Sequence, residues 1–395
     1  MEYRILELGK SSRTLEKASR LCIFVAQTLR VDSDISENAA LEGLIASGHV
    51  DWKQVLDFAD SENITVALAA ALRRRNLFKS LPKPVRMALT RREIMGAEVN
   101  KRVKGQAEDA LHILNAVGVI PIALKGALHL FEAAPEELAT RFMRDLDLVV
   151  PAEKLDLSIA ALRDAGYVPE MEDDRWTYHY HPMHHPDHIC AIELHVRPGE
   201  QRRFIAMDEA WAEAVPVEAP GLQLHALAPN HRIAHNIFHS EIQDHGFSIG
   251  ELCLRQLYDL ARISARFADI VDWDDVSERF GRHGMTPVLH ARMHVAVELL
   301  GAPKPPFAID GLRSRLHLRR CLRNLRLKRL MIVTRCLADV AIRVGRFNMD
   351  LRYNCGTSGI NLQWHRVKHI VRMLWHHRGD ILAQANNRRG LKRGR

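Results

Sequence analysis

The chain has 395 residues, of which 47% are hydrophobic and 26% charged, the make-up of a folded protein long enough for two or three domains. No apolar run approaches the ~18 residues of a bilayer span, and six scattered cysteines with no CxxC pair exclude a disulfide framework. The net charge of +8 is uneven: from Gly311 to Arg395 there are 21 Lys/Arg against 3 Asp/Glu, so the preceding residues are net acidic.

The first residues, MEYRILELGKSSRTLEKASR, carry no apolar signal core, and a protein of the reducing cytoplasm is expected. Residues 1–110 read as a helical N-terminal region. SENAALEGLIASG and DWKQVLDFADSENITVALAAALRRRNL have apolar residues at helical spacing, and LPKPVRMAL places prolines at a helix start. MGAEVNKRVKGQAEDALHILNAVG continues the pattern and stops at Gly118.

The periodicity then changes. VIPIALKG (119–126) is an apolar run entering a Lys-Gly turn, and ALHLFEAA returns to helix. DLDLVVP (145–151) is a strand closed by proline, AEKLDLSIAALRDAGY a helix ended by Gly166, and ICAIELHVRP (189–198) another strand. The expected fold class is α+β, with a mixed β-sheet core at 111–215 flanked by helical N- and C-terminal regions. Helical spacing resumes over 216–310. A proline-rich joint, APKPPFAIDG, leads into a basic helical extension at 311–395 whose end, NNRRGLKRGR, is expected to be disordered.

The chemistry concentrates in the middle. Residues i and i+2 of a strand share a face, so Asp145 and Asp147 project together while Leu146, Leu148 and Val150 pack on the other side. Two such charges ~7 Å apart repel by about 2 kcal/mol at an effective dielectric of about 20. A strand gains nothing from the pair unless a cation sits between, and oxygen-seeking magnesium suits them. Glu193 lies mid-strand with Ala191 and His195 on its face, where a bare charge is costly. If that strand neighbours DLDLVV, three carboxylates converge on a two-metal site for phosphoryl transfer. The bland alternative is a turn and a solvated strand edge. The Lys125–Gly126 turn before a helix offers backbone N–H groups to phosphate, with Lys125 as a point charge. Arg141 and Arg144 flank the aspartates, either to meet a triphosphate or as solvated counter-charges.

Leu124-Lys125-Gly126, Arg141, DLDLVV and IELH, with HNIFHSEIQDHGF and LRQLYDLARI, together resemble the bacterial uncharacterised nucleotidyltransferase family of the DNA polymerase beta-like nucleotidyltransferase superfamily. The likeness spans roughly residues 40 to 305. It implies a transferase that moves an NMP group from an NTP to a hydroxyl of an acceptor, with Asp145, Asp147 and Glu193 holding two Mg²⁺ ions. It also implies that the Lys125–Gly126 turn holds the β and γ phosphates of the nucleotide. Arg255 and Asp259, four apart on one helix, are either a plain ion pair or part of that nucleotide site. The Lys-Gly turn departs from the superfamily's commoner Gly-Ser, and Glu193 from its commoner third aspartate.

Other readings stay open. A module of the same fold without turnover would dock an anionic partner through the basic tail. An RNA-directed transferase would use that tail as its footprint. The tail's candidate partners are RNA, a membrane surface or an acidic protein. The histidines of YHYHPMHHPDH (178–188) are read as a loop or hairpin overhanging the site rather than a zinc centre, because prolines break the run.

Overall fold

The computed structural model describes residues 17–32, 35–171, 178–199, 204–325 and 359–376. The chain is an α+β protein with two compact units, Met1–Arg326 and Leu327–Arg395. In the first, helices α1 (Lys17–Leu29), α2 (Ile35–Ala46), α3 (Trp52–Ser61) and α4 (Thr65–Arg74) lead into α5 (Lys83–Ala116). Asp51 caps α3 by accepting from the Gln54 amide at 3.2 Å, and Pro84 stands in the first turn of α5, where its missing N–H costs nothing.

The sheet follows. Its strands are β1 (Ile122–Ala123), β2 (Asp145–Val149), β3 (Val168–Pro169), β4 (Met183–His184), β5 (Ala191–His195), β6 (Val215–Pro216) and β7 (His225–Ala226). They lie in the order β3-β4-β5-β2-β1-β7-β6. The expected strand at 119–126 is shorter than its apolar run, because Lys125 already begins α6 (Lys125–Glu132). Helix α7 (Leu155–Asp164) follows β2.

β2 and β5 are parallel neighbours, with Asp145 opposite Ala191, Asp147 opposite Glu193 and Val149 opposite His195. Period-2 alternation divides their side chains. Leu146, Leu148, Ile192 and Leu194 enter an apolar core built with Val103, Leu111 and Leu114 of α5 and Leu162 of α7. The carboxylates and His195 take the opposite face.

The C-terminal helices are α8 (Met207–Ala212), α9 (Pro229–Ile237), α10 (Gly246–Ile249), α11 (Leu254–Arg266), α12 (Trp273–Arg282), α13 (Thr286–Leu300) and α14 (Leu312–Asn324), and α9 and α11 stand across from that face. The N-terminal and C-terminal helices share one apolar core, in which Leu68 and Leu72 join Leu257, Leu289 and Leu299. Polar links join them too. The Leu254 amide at the start of α11 donates to Glu62 at 3.0 Å, and Ser19 donates to the Leu322 carbonyl at 2.9 Å. The first part of the basic extension, α14, therefore packs within this unit. In the second unit the structure describes α15 (Gly359–His376); NNRRGLKRGR lies outside the described residues.

A π-helical turn, Phe238–Gln243, continues α9. Such turns re-aim side chains and recur at functional sites. Here Glu241 is driven into the core, where it meets Arg292 of α13 at 2.9 Å; both are almost wholly buried. Burial raises the Glu241 carboxyl above its usual range, and Arg292 opposes that. Arg292→Met strands the Glu241 carboxylate and is expected to cost about 3–5 kcal/mol. Arg292→Met/Glu241→Leu should recover most of that loss. Urea denaturation of the two variants measures the difference; equal losses would mean that packing, not charge, sets the cost.

Candidate active site

Three consequences of the β2–β5 register define the site. Asp147 is 1% exposed and Glu193 stands beside it, half-buried. Asp145 shares the Asp147 face one pleat away. His195 follows Glu193 on the same face, with Nε2 3.0 Å from Asp147 Oδ1 and 3.5 Å from Glu193 Oε2. Lys125, at the start of α6, donates from Nζ to the same Asp147 Oδ1 at 3.0 Å.

These contacts divide the carboxyls. Burial pushes Asp147 up, but the Lys125 ammonium and the His195 imidazole overcome it and hold Asp147 well below the ordinary range. Burial and the neighbouring Asp147 charge raise Asp145, only partly offset by Lys125. Burial also acts to raise Glu193, yet His195 leaves it lowered. For His195 burial works against the charged ring, and Asp147 and Glu193 more than compensate, so it is raised.

The donor atoms of Asp147, Glu193 and His195 lie within 4.8 Å of one another. Asp145 stands outside that cluster, so the closest triad is two carboxylates and an imidazole rather than three carboxylates. His195 is 1% exposed, and despite its short approach to Asp147 neither ring nitrogen completes a well-directed hydrogen bond. Two carboxylates and an imidazole this close are a donor set that fits a divalent cation once the ring is neutral.

The cluster forms one wall of a cleft of about 780 Å³ between the sheet and α9, α11 and the π turn. Lys125, Arg141, Arg144, Asp145 and Glu193 line it, as do Arg255 and Asp259 of α11. Arg141 reaches Asp259 through Nε at 3.1 Å and Nη2 at 3.0 Å, and Arg255 approaches the same carboxylate at 3.9 Å. Gly126 is what lets Arg141 lie so close: a Cβ there would stand 2.4 Å from Arg141 Nη1 and 2.5 Å from Met143 Cγ. Arg144 is exposed, its guanidinium 5.8 Å over the Phe142 ring. Lys125, Arg141, Arg144, Asp145, Glu193, Arg255 and Asp259 therefore share one cleft, with Asp147 and Gly126 directly behind its wall.

Several cleft residues were not singled out. Arg232 makes a two-pronged contact with Glu132 at 2.9 and 2.8 Å, and Arg266 adds a third at 3.0 Å. His235 and His239 line the cleft, and His239 pairs with Asp244 at 3.1 Å. The signal was present: His231, His235 and His239 recur every fourth residue, one face of a helix. Of the histidine-rich stretch, Tyr178 and His179 reach the cleft beside His195, while His185 and His188 pack on Tyr167. Among the described residues that stretch forms no metal-ligand cluster of its own.

His129 provides a pH test of the cleft's charge. Burial, then the Arg141 and Arg262 charges, lower its pKa to about 4. A folded value below the unfolded one means that the folded state resists protonation. Its contribution to stability is present above the ordinary histidine value and declines as pH falls toward about 4. A ¹H–¹⁵N NMR titration of the His129 ring should find a midpoint near 4; an ordinary histidine midpoint would contradict its burial beside Arg141 and Arg262.

A family model described as "Uncharacterised nucleotidyltransferase" matches residues 48–301, well over half of the chain and all of the cleft residues named above. No curated protein and no solved structure matches. The chain belongs to this nucleotidyltransferase family, which makes it, at a coarse level, a transferase with a nucleotide substrate.

Proposed function

We propose that this member of the nucleotidyltransferase family moves an NMP group from an NTP to a hydroxyl of a small molecule, sugar or peptide. The observation that carries the reading is the β2–β5 register, which sets Glu193 beside Asp147 on the face that Asp145 shares. Asp145, Asp147 and Glu193, with His195 adjoining, would hold Mg²⁺. When bound, Mg²⁺ neutralises charge on the phosphates and lowers the pKa of a bound hydroxyl.

The protein's own groups divide the remaining work. The first amides of α6 lack intrahelical partners and, with Lys125, hold the β and γ phosphates. Arg141 and Arg144 add charge beside them, and Arg255 and Asp259 bound the nucleotide from α11. The acceptor oxygen attacks the α-phosphorus in line as the bond to the β-phosphate oxygen breaks, and pyrophosphate leaves. The acceptor proton passes to Glu193, which lines the cleft and is held ionised by His195.

One observation favours a second reading. Lys125 already contacts Asp147, as a lysine would in a fold that had exchanged its metal for an internal ion pair and kept only docking. Titration calorimetry with ATP, CTP, GTP and UTP, each with Mg²⁺, separates the two. The transferase reading expects micromolar binding of at least one nucleotide, a typical substrate affinity. It also expects at least roughly tenfold loss in Asp145→Ala/Asp147→Ala, because two of the carboxylates that would hold the metal are gone. Incubating α-labelled NTP with host extract should label an acceptor with wild type and not with Glu193→Gln. Binding that ignores the aspartate substitutions would exclude this site.

A further inference from the structure

Lys125 stands in the left-handed region at φ 43°, a strained backbone for a residue with a side chain, at the first turn of α6. From there its side chain turns back onto β2, and Nζ lies 3.0 Å from Asp147 Oδ1. This is the oxygen that His195 also approaches and that belongs to the metal-ligand cluster. The carboxylate beneath it is 1% exposed, whereas the Lys125 side chain is 27% exposed and reaches in from the cleft.

A buried set of carboxylates without a counter-charge is costly, and Lys125 supplies that charge within the chain. An ammonium and a divalent ion cannot both sit on one oxygen without strong repulsion. For metal to enter, the lysine must leave, and an anion must receive it. The open side of its position is the cleft bordered by Arg141 and Arg144, where the triphosphate is placed above.

We propose that Lys125 is a resident counter-ion that makes metal entry conditional on nucleotide: the divalent ion arrives with the triphosphate, and Lys125 passes from Asp147 to the phosphate oxygens. Free metal brings no anion to accept the lysine and is held off. The inference rests on the transferase reading and adds an order of loading to it. Lysine suits the role because its flexible four-carbon stem carries a point charge over several ångströms, which a planar guanidinium locked in a two-pronged contact does not do.

The test is Mn²⁺ binding by electron paramagnetic resonance on the full chain, with and without the α,β-methylene analogues of the four NTPs. Wild type should bind free Mn²⁺ at least roughly tenfold more weakly than it binds Mn²⁺ with an accepted analogue, the size of one lost charged contact. Lys125→Met should bind free Mn²⁺ roughly tenfold more tightly than wild type and the analogue more weakly by a similar factor. Circular dichroism checks that the variant is folded. Wild type that takes up Mn²⁺ equally well alone and with an analogue overturns the proposal, whether or not the variant folds. A folded Lys125→Met with unchanged free-Mn²⁺ affinity also overturns it. If wild type binds no analogue in the presence of Mn²⁺, the transferase reading itself fails.

Discussion

Two carboxylates forced side by side inside the protein are the constraint around which this chain is arranged. The parallel pairing of β2 and β5 puts Asp147 against Glu193, and period-2 alternation adds Asp145 and His195 to the same face. Unneutralised, such a group would cost more than a domain of ordinary stability can spare. The chain answers with Lys125 from the start of α6 and His195 from β5 itself. The result is a split in which Asp147 is held ionised while Asp145 is raised. An assembly that needs positive charge so badly, placed in the wall of an open cleft, is suited to take that charge from a ligand.

The helices give the cleft its second wall and its polarity. Carboxylates occupy the sheet side, and arginines from α9, α11 and the segment before β2 occupy the other. Most of these arginines are already tied to acids: Arg141 to Asp259, Arg232 and Arg266 to Glu132. Such pairs fix side-chain positions before any ligand arrives, which lowers the ordering cost of binding. The N-terminal helices contribute both directly, through Asn63 and Arg74 at the cleft, and by support from behind. Glu62 holds the start of α11 and the shared apolar core fixes the helices around it, so the far wall of the cleft is set by residues almost two hundred positions earlier in the chain.

How much of this could be read from the sequence follows from the range of each interaction. DLDLVV and IELH announce strands and a carboxylate face because strand alternation is local, and the alignment of Asp147 with Glu193 needed only the assumption that the strands are neighbours. His195 was visible as a neighbour of Glu193, but its distance to Asp147 depends on strand separation, which no spacing rule reports. The Lys125–Asp147 pair was hidden for a similar reason: a Lys-Gly turn suggests a phosphate grip, and the strained φ that folds the lysine back is a tertiary effect. The π turn that sinks Glu241 onto Arg292 leaves no periodic mark. Composition likewise separated N-terminal from C-terminal helices, although they share a core, because periodicity says which face is apolar and not what covers it.

The most direct measurement is a crystal structure of the full chain grown with Mn²⁺ and an α,β-methylene NTP, with anomalous scattering used to place the metal. The account predicts Mn²⁺ peaks bounded by Asp145, Asp147 and Glu193, with the triphosphate at the first turn of α6. A nucleotide bound elsewhere, or Mn²⁺ absent from these carboxylates while the analogue is present, would contradict it.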